Sequence, residues 1–220
     1  MGSLAYDIAH VLGGAMLLCS FLLLSQRRLG ALIWLLAVQG VLLAMAAAWQ
    51  GFSQGAPHLY VSAGIALLAK GIAIPLALRA AVARIGAAAE ADQGLPAMPA
   101  LLAGGAMVAL AILVALPVST GTRVLTREDL AIALSILLLG LLMMCTRRHA
   151  LAQAAGLLSM ENALMLVAVG AAGMPLVVEI SAAGLVLVVA ALAGLFGLRM
   201  REHMATLDTQ VLDSHRGDAR

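Results

Sequence analysis

Three ionisable side chains stand where an apolar chain should carry none. Lys70 lies about twelve residues into the run Leu59–Leu78, Glu161 about eleven residues into Leu151–Gly173, and Glu179 about six residues past the Gly173-Met174-Pro175 turn. A charge at the centre of a bilayer costs roughly 2.5–3.5 kcal/mol on insertion scales, so partners, internal water or neutralisation must compensate. Each of those remedies also suits a proton path. About 18 Å of helix separates Lys70 from His58, too far for the lysine stem to snorkel to the headgroups. On a regular helix its neighbours are Ala63, Ala66, Leu67, Ala73, Ile74 and Ala77, a small-residue face suited to close packing, so Lys70 is expected to point into protein. Pro75 removes a backbone donor one turn away and frees carbonyls near the ammonium, unless it is an ordinary transmembrane kink.

Glu161 has Ser159 and Asn162 beside it, and their hydrogen bonds can hold a buried carboxyl in either protonation state. Glu179 follows on the next helix after a short turn, which makes the two helices antiparallel neighbours. Their depths differ by roughly 8 Å, so a water or a third group is needed to pass a proton between them. The expected relay is therefore Lys70, Glu161 and Glu179, with a structural ion pair or helix-helix glue as the plainer reading of each. Asp7, His10 and Asn162 form a secondary set. Asp7 and His10 sit near the outer end of the first helix, where they line a half-channel or simply meet headgroups. Arg127, Glu128 and Asp129 read as capping and macrodipole chemistry, the methionines as packing, and the pairs Arg27-Arg28 and Arg147-Arg148 as topology anchors.

The elements that must hold these residues follow from composition. Of 220 residues, 63% are hydrophobic and 11% charged, with a mean hydropathy of +1.05, which leaves too little polar surface to cover a soluble particle. At about 20 apolar residues per crossing, the chain divides into seven spans: Leu4–Ser25, Leu29–Gln50, Leu59–Leu78, Met98–Val118, Leu130–Thr146, Leu151–Gly173 and Pro175–Leu198. The expected class is all-α and polytopic. The first span lacks a basic leader and is expected to be a retained helix. With the N-terminus outside, Arg27, Arg28, Arg79, Arg84, Arg147, Arg148, Arg199, Arg201, Arg216 and Arg220 all fall on one side and only Arg123 and Arg127 on the other. That asymmetry predicts a cytoplasmic C-terminus. The domains expected are a four-helix region over 1–125, a three-helix region over 126–200 and a cytoplasmic tail over 201–220. Cys19 and Cys145 lie apart with no metal-ligand spacing, no cofactor is expected, and a net charge of +2 offers no nucleic-acid surface. LLLSQRR and LMMCTRR align at an offset of 120, each followed by a helix with a central polar residue, Gln39 or Glu161, which suggests a duplicated three-helix unit. Gln39 would leave the first copy without a carboxyl.

With these residues in hand, the chain resembles the hydrogenase-4 component E family, membrane subunits of formate hydrogenlyase and related group 4 hydrogenases. The most specific part is GLLSMENALMLVAVGAAGMPLVVEISAAGLVLVV, with TLDTQVL in the tail. The last three helices are also similar to the K-like subunit of respiratory complex I and the C subunit of multisubunit cation/proton antiporters. In those proteins each of the last two helices carries an embedded glutamate, at the positions of Glu161 and Glu179. Lys70 is similar to the buried lysines of antiporter-like subunits. The resemblance implies a non-redox membrane-arm subunit in the bacterial cytoplasmic (inner) membrane, with no catalytic centre of its own. Its partners would be antiporter-like subunits, the subunit anchoring the hydrogenase, and the nickel-iron and iron-sulfur subunits. The alternatives are a purely structural scaffold subunit and a stand-alone secondary transporter, which usually has inverted repeats.

Overall fold

In a bilayer every backbone N–H and C=O must be satisfied within the protein, and a Leu- and Ala-rich chain meets that demand as helix. The computed structural model describes residues 2–85, 96–117 and 127–170. Their helices are α1 (Gly2–Ser25), α2 (Leu29–Gln54), α3 (His58–Ala66), a π-helical segment (Leu67–Ala73), α4 (Ile74–Ile85), α5 (Ala97–Ala115), α6 (Arg127–Thr146) and α7 (Ala150–Gly170). Among the described residues six helical stretches are long and apolar enough to span a membrane, the third running through α3, the π segment and into α4. The chain is an all-α, multi-pass membrane protein. The first six expected spans match these stretches to within a few residues. The seventh span, Pro175–Leu198, with Glu179, and the tail over 201–220 lie outside the described residues. Gly55 ends α2 in the left-handed conformation (φ 65°), its N–H closing on the Gly51 carbonyl, a backbone state that a residue with a Cβ resists.

Four helices form a ring: α1 packs on α2, α2 on α7, α7 on α6 and α6 on α1. The hairpins α1–α2 and α6–α7 stack the same way up. His10 of α1 meets Glu128 and Asp129 at the start of α6, and Arg147, just past the end of α6, reaches the carbonyls of Leu23 and Leu24 near the end of α1. Gln39 of α2 bonds Ser159 of α7 at a separation of 120 residues, the same offset at which the two Arg-Arg segments align in sequence. Corresponding positions of the two hairpins thus lie side by side. Helices α3, the π segment and α4 flank the ring on the α2 side, and α5 lies against α1 and α6.

Within the second hairpin, α6 and α7 cross at Gly140 and Gly156. A Cβ on Gly140 would come within 2.8 Å of the Gly156 carbonyl oxygen, and one on Gly156 within 2.9 Å of the Gly140 carbonyl. Such small-residue crossings bring backbones together where lipid supplies no hydrophobic drive for helix association. Along the ring the core is layered. A large cluster including Leu24, Leu32, Leu139 and Leu158 fills the end nearest the arginine loops. Met16, Leu43, Ile136 and Ala163 belong to a second layer, and Ala47, Ala63 and Val169 to a third. The outer faces carry Leu18, Trp34, Leu102, Leu113 and Leu164, as lipid requires.

Candidate functional site: a buried network around Lys70

The third span departs from regular α-helix around Lys70. Over Leu67–Ala73 the helix widens to π geometry, and the Ile74 N–H donates to the Ala69 carbonyl five residues back. The next residue, Pro75, has no N–H to offer, so neither Lys70 nor Gly71 receives a ladder bond from position 75. The expectation of a regular helix with Lys70 neighbours at spacings of three and four is corrected on this point, because the extra residue per turn shifts the register of everything around Lys70. Opposite it, α2 has Gly40. A Cβ there would lie 2.7 Å from the Lys70 carbonyl carbon and 2.8 Å from its oxygen, so only glycine lets the widened turn seat against α2.

Lys70 is 4% exposed and points into the protein, as its depth predicted. Its ammonium forms an ion pair with Glu161 and donates to Asn162 Oδ1 at 3.0 Å. Asn162 Nδ2 donates to Gln39 Oε1 at 3.2 Å. Gln39 Nε2 donates to Ser20 Oγ at 2.9 Å and Ser159 Oγ at 3.2 Å, and Ser20 Oγ donates to the Met16 carbonyl at 3.0 Å. The run Lys70, Asn162, Gln39, Ser20, Met16 is therefore a one-way sequence of donors. Each amide turns its oxygen toward the ammonium, an alignment that favours the charged lysine and in which each bond polarises the next. Gln39 is wholly buried, and the network ties α1, α2, α7 and the π segment together at one level. Glu161 is held differently. Its side chain is 15% exposed, with Leu157 and Leu164 on the same outward face, and its Oε1 is buried with no hydrogen-bond partner among the described residues. The lysine is locked in place, whereas the carboxyl keeps an acceptor in reserve.

Of the residues expected from sequence, the fold thus brings Lys70, Glu161 and Asn162 into contact. Asp7 is exposed. His10 sits at the far end of the bundle, Nε2 2.8 Å from Glu128 and Nδ1 3.6 Å from Asp129, so the acidic first turn of α6 pairs across helices besides facing its own macrodipole. Ten residues of α1 separate His10 from Ser20, about 15 Å along the axis. Glu179 lies outside the described residues. Sequence reasoning missed Ser20 and Gly40, and it treated Gln39 as an absent carboxyl when it is the centre of the network. The signal was present: a glutamine in mid-span needs partners as surely as a charge does. No group of three or more His, Cys, Asp or Glu suited to a metal occurs among the described residues.

Arg147, expected as a topology anchor, has a structural role besides: it is 3% exposed, and Nη2 donates to the Leu23 and Leu24 carbonyls at 3.1 and 2.7 Å. It caps the C-terminal end of α1 from the neighbouring hairpin, where a cation complements the helix dipole. Burial, reinforced by the nearby Arg27 charge, lowers its pKa to about 10, so it still carries its charge at neutral pH. Arg147→Met is expected to cost about 1–3 kcal/mol by orphaning those carbonyls, read as a lower midpoint of denaturant unfolding in detergent. Arg147→Lys should recover only part, because an ammonium is more strongly hydrated than a guanidinium and costs more to bury at this site.

The chain is 32% identical over 202 residues to the uncharacterized protein Rv0085 of Mycobacterium tuberculosis, a match covering 90% of this chain and 91% of the relative. The chain belongs to the same family as Rv0085. No protein-family model and no solved structure matches.

Proposed function

We propose that the chain is a non-redox membrane-arm subunit of a complex I-like, group 4 hydrogenase or formate hydrogenlyase, in which the Lys70–Glu161 pair moves charge during proton or sodium translocation. The observation that carries this reading is the pair itself: an ammonium and a carboxylate embedded mid-span, where their cost demands a reason. The network supports a division of labour. Lys70, satisfied by Asn162 and by the aligned amides behind it, is the standing charge. Glu161, with one oxygen unengaged among the described residues, is the group that accepts and releases the proton, and Glu179 on the following segment is its onward partner. The hydrogenase assignment, with the inner bacterial membrane, the antiporter-like neighbours and the nickel-iron and iron-sulfur subunits as partners, rests on the sequence resemblance along the whole chain, most specific from GLLSMENALML onward. A stand-alone transporter is less well supported, because the two hairpins stack in the same sense, not in the inverted relation common in that class.

Gentle detergent extraction is expected to bring down hydrogenase subunits with this chain, whereas a chain purified alone would favour the transporter. In the assembled complex, Glu161→Gln should leave hydrogen evolution with an artificial donor intact and abolish acidification in inverted vesicles. Unchanged ion movement in that variant would overturn the relay. Loss of the complex itself would favour a scaffold.

A further inference from the structure

We infer that the axis of the four-helix ring is an aqueous access path leading from the His10–Asp129 end to the Lys70 network, closed at rest by a single apolar layer. Two separate features define it. At that end lies a cavity of ≈ 30 Å³ lined by Gly13, Ala46, Gln50, Asp129, Ile132 and Leu166, enough for a water molecule, with Gln50 and Asp129 as polar partners. At the other end of the gap stand Ser20, Gln39 and Ser159.

The spacing between them is the same on three helices. Gly13 to Ser20 on α1, Gln39 to Ala46 on α2 and Ser159 to Leu166 on α7 are each seven positions, about 10 Å of axial rise. What fills that gap is the middle layer of the core: Met16, Leu43, Ile136 and Ala163, one from each ring helix and all essentially inaccessible. A dry constriction about two turns thick, with a polar site on each side, is the geometry of a gate that opens by wetting. Met16 belongs to both parts, since its side chain plugs the axis while its carbonyl is the final acceptor of the network. A shift of α1 that loosens the plug therefore disturbs the donor run leading to Lys70. With the layer open, water reaches Ser20, Gln39 and Ser159, whose hydroxyls and amide can order it. Passage of a proton from that water to the outward-facing Glu161 needs one further water between them, whose O–H bond breaks as one forms on the carboxylate, leaving a carboxylic acid beside a Lys70 ammonium that keeps its charge. This last step rests on the charge-moving reading of the pair, but the path itself does not.

Thiol accessibility tests the path in the full chain. With Cys19 and Cys145 replaced by Ala, Ser20→Cys is introduced and labelled in vesicles by a small charged methanethiosulfonate added from the His10 side. Adding Met16→Ala should speed labelling roughly tenfold or more, because access limits the reaction of a buried thiol. Leu43→Ala opens the same layer from α2 and gives the same readout should Met16→Ala fold poorly. Leu139→Cys, buried in a different cluster, should be unaffected by either. Equal rates with the layer intact and opened, or an equal gain at the Leu139→Cys control, would overturn the path. Because labelling is independent of ion pumping, its failure leaves the Glu161 relay standing, and failure of the Glu161→Gln pumping test leaves the path standing.

Discussion

Lys70→Met is expected to destabilise the protein by about 3–5 kcal/mol, the usual consequence of removing one member of a buried ion pair. The loss has two parts. Glu161 keeps a carboxylate whose Oε1 already lacks a partner among the described residues, and Asn162 Oδ1 loses the donor toward which the amides behind it are oriented. The double substitution Lys70→Met with Glu161→Gln should restore much of the lost stability, since it removes both charges and leaves an amide that can meet Asn162. Unfolding midpoints of the wild type, the two single variants and the double variant form a cycle with a coupling energy of a few kcal/mol. A double variant no more stable than Lys70→Met would mean that the two groups do not stabilise one another. The same cycle separates glue from relay: if the double variant is stable and assembles but moves no ions, the pair is retained for its charge and not for its contribution to folding.

Gly40→Ala is the second large effect. The added methyl would stand 2.7 Å from the Lys70 carbonyl carbon and 3.0 Å from the Gly71 nitrogen, and both are backbone atoms that cannot turn aside. Either α2 and the third span separate or the π segment gives up its extra residue, and overpacking of this kind costs about 1–3 kcal/mol or more. Gly30 provides the control on the same helix. A Cβ there meets nothing within 4 Å, so Gly30→Ala should be neutral or stabilise by about 0.5–1 kcal/mol through helix propensity. The pair of variants is read by thermal unfolding in detergent. Ion translocation should fall with Gly40→Ala and persist with Gly30→Ala, since only the first displaces the turn that carries Lys70.

Sequence reasoning reached the membrane class and the first six span positions because both are governed by local composition. A helix must hold about 20 apolar residues to cross the bilayer, whatever surrounds it. It reached Lys70 and Glu161 for the same reason, since a charge in lipid is costly wherever it points. It did not reach the buried cap that Arg147 makes on α1 in addition to its place in an Arg-Arg pair, or the roles of Ser20 and Gln39, whose neutral side chains carry a weaker signal than a charge. The π segment was also hidden. Pro75 announced freed carbonyls, but whether they give a kink or a widened turn depends on the clearance opposite, and that clearance is Gly40 on another helix.

By itself, then, the amino-acid sequence determined that this chain is a bundle of membrane-spanning helices with a few embedded charges, because hydropathy and charge are properties of single residues summed along a chain. The tertiary structure alone decided which of those charges meet, that Lys70 pairs with Glu161 across 91 residues, and that the two hairpins stack in parallel so that positions about 120 apart become neighbours. Pairings of that kind depend on which helix faces pack together, and in a chain whose helices are apolar on nearly every face the pattern of apolar residues does not distinguish one face from another.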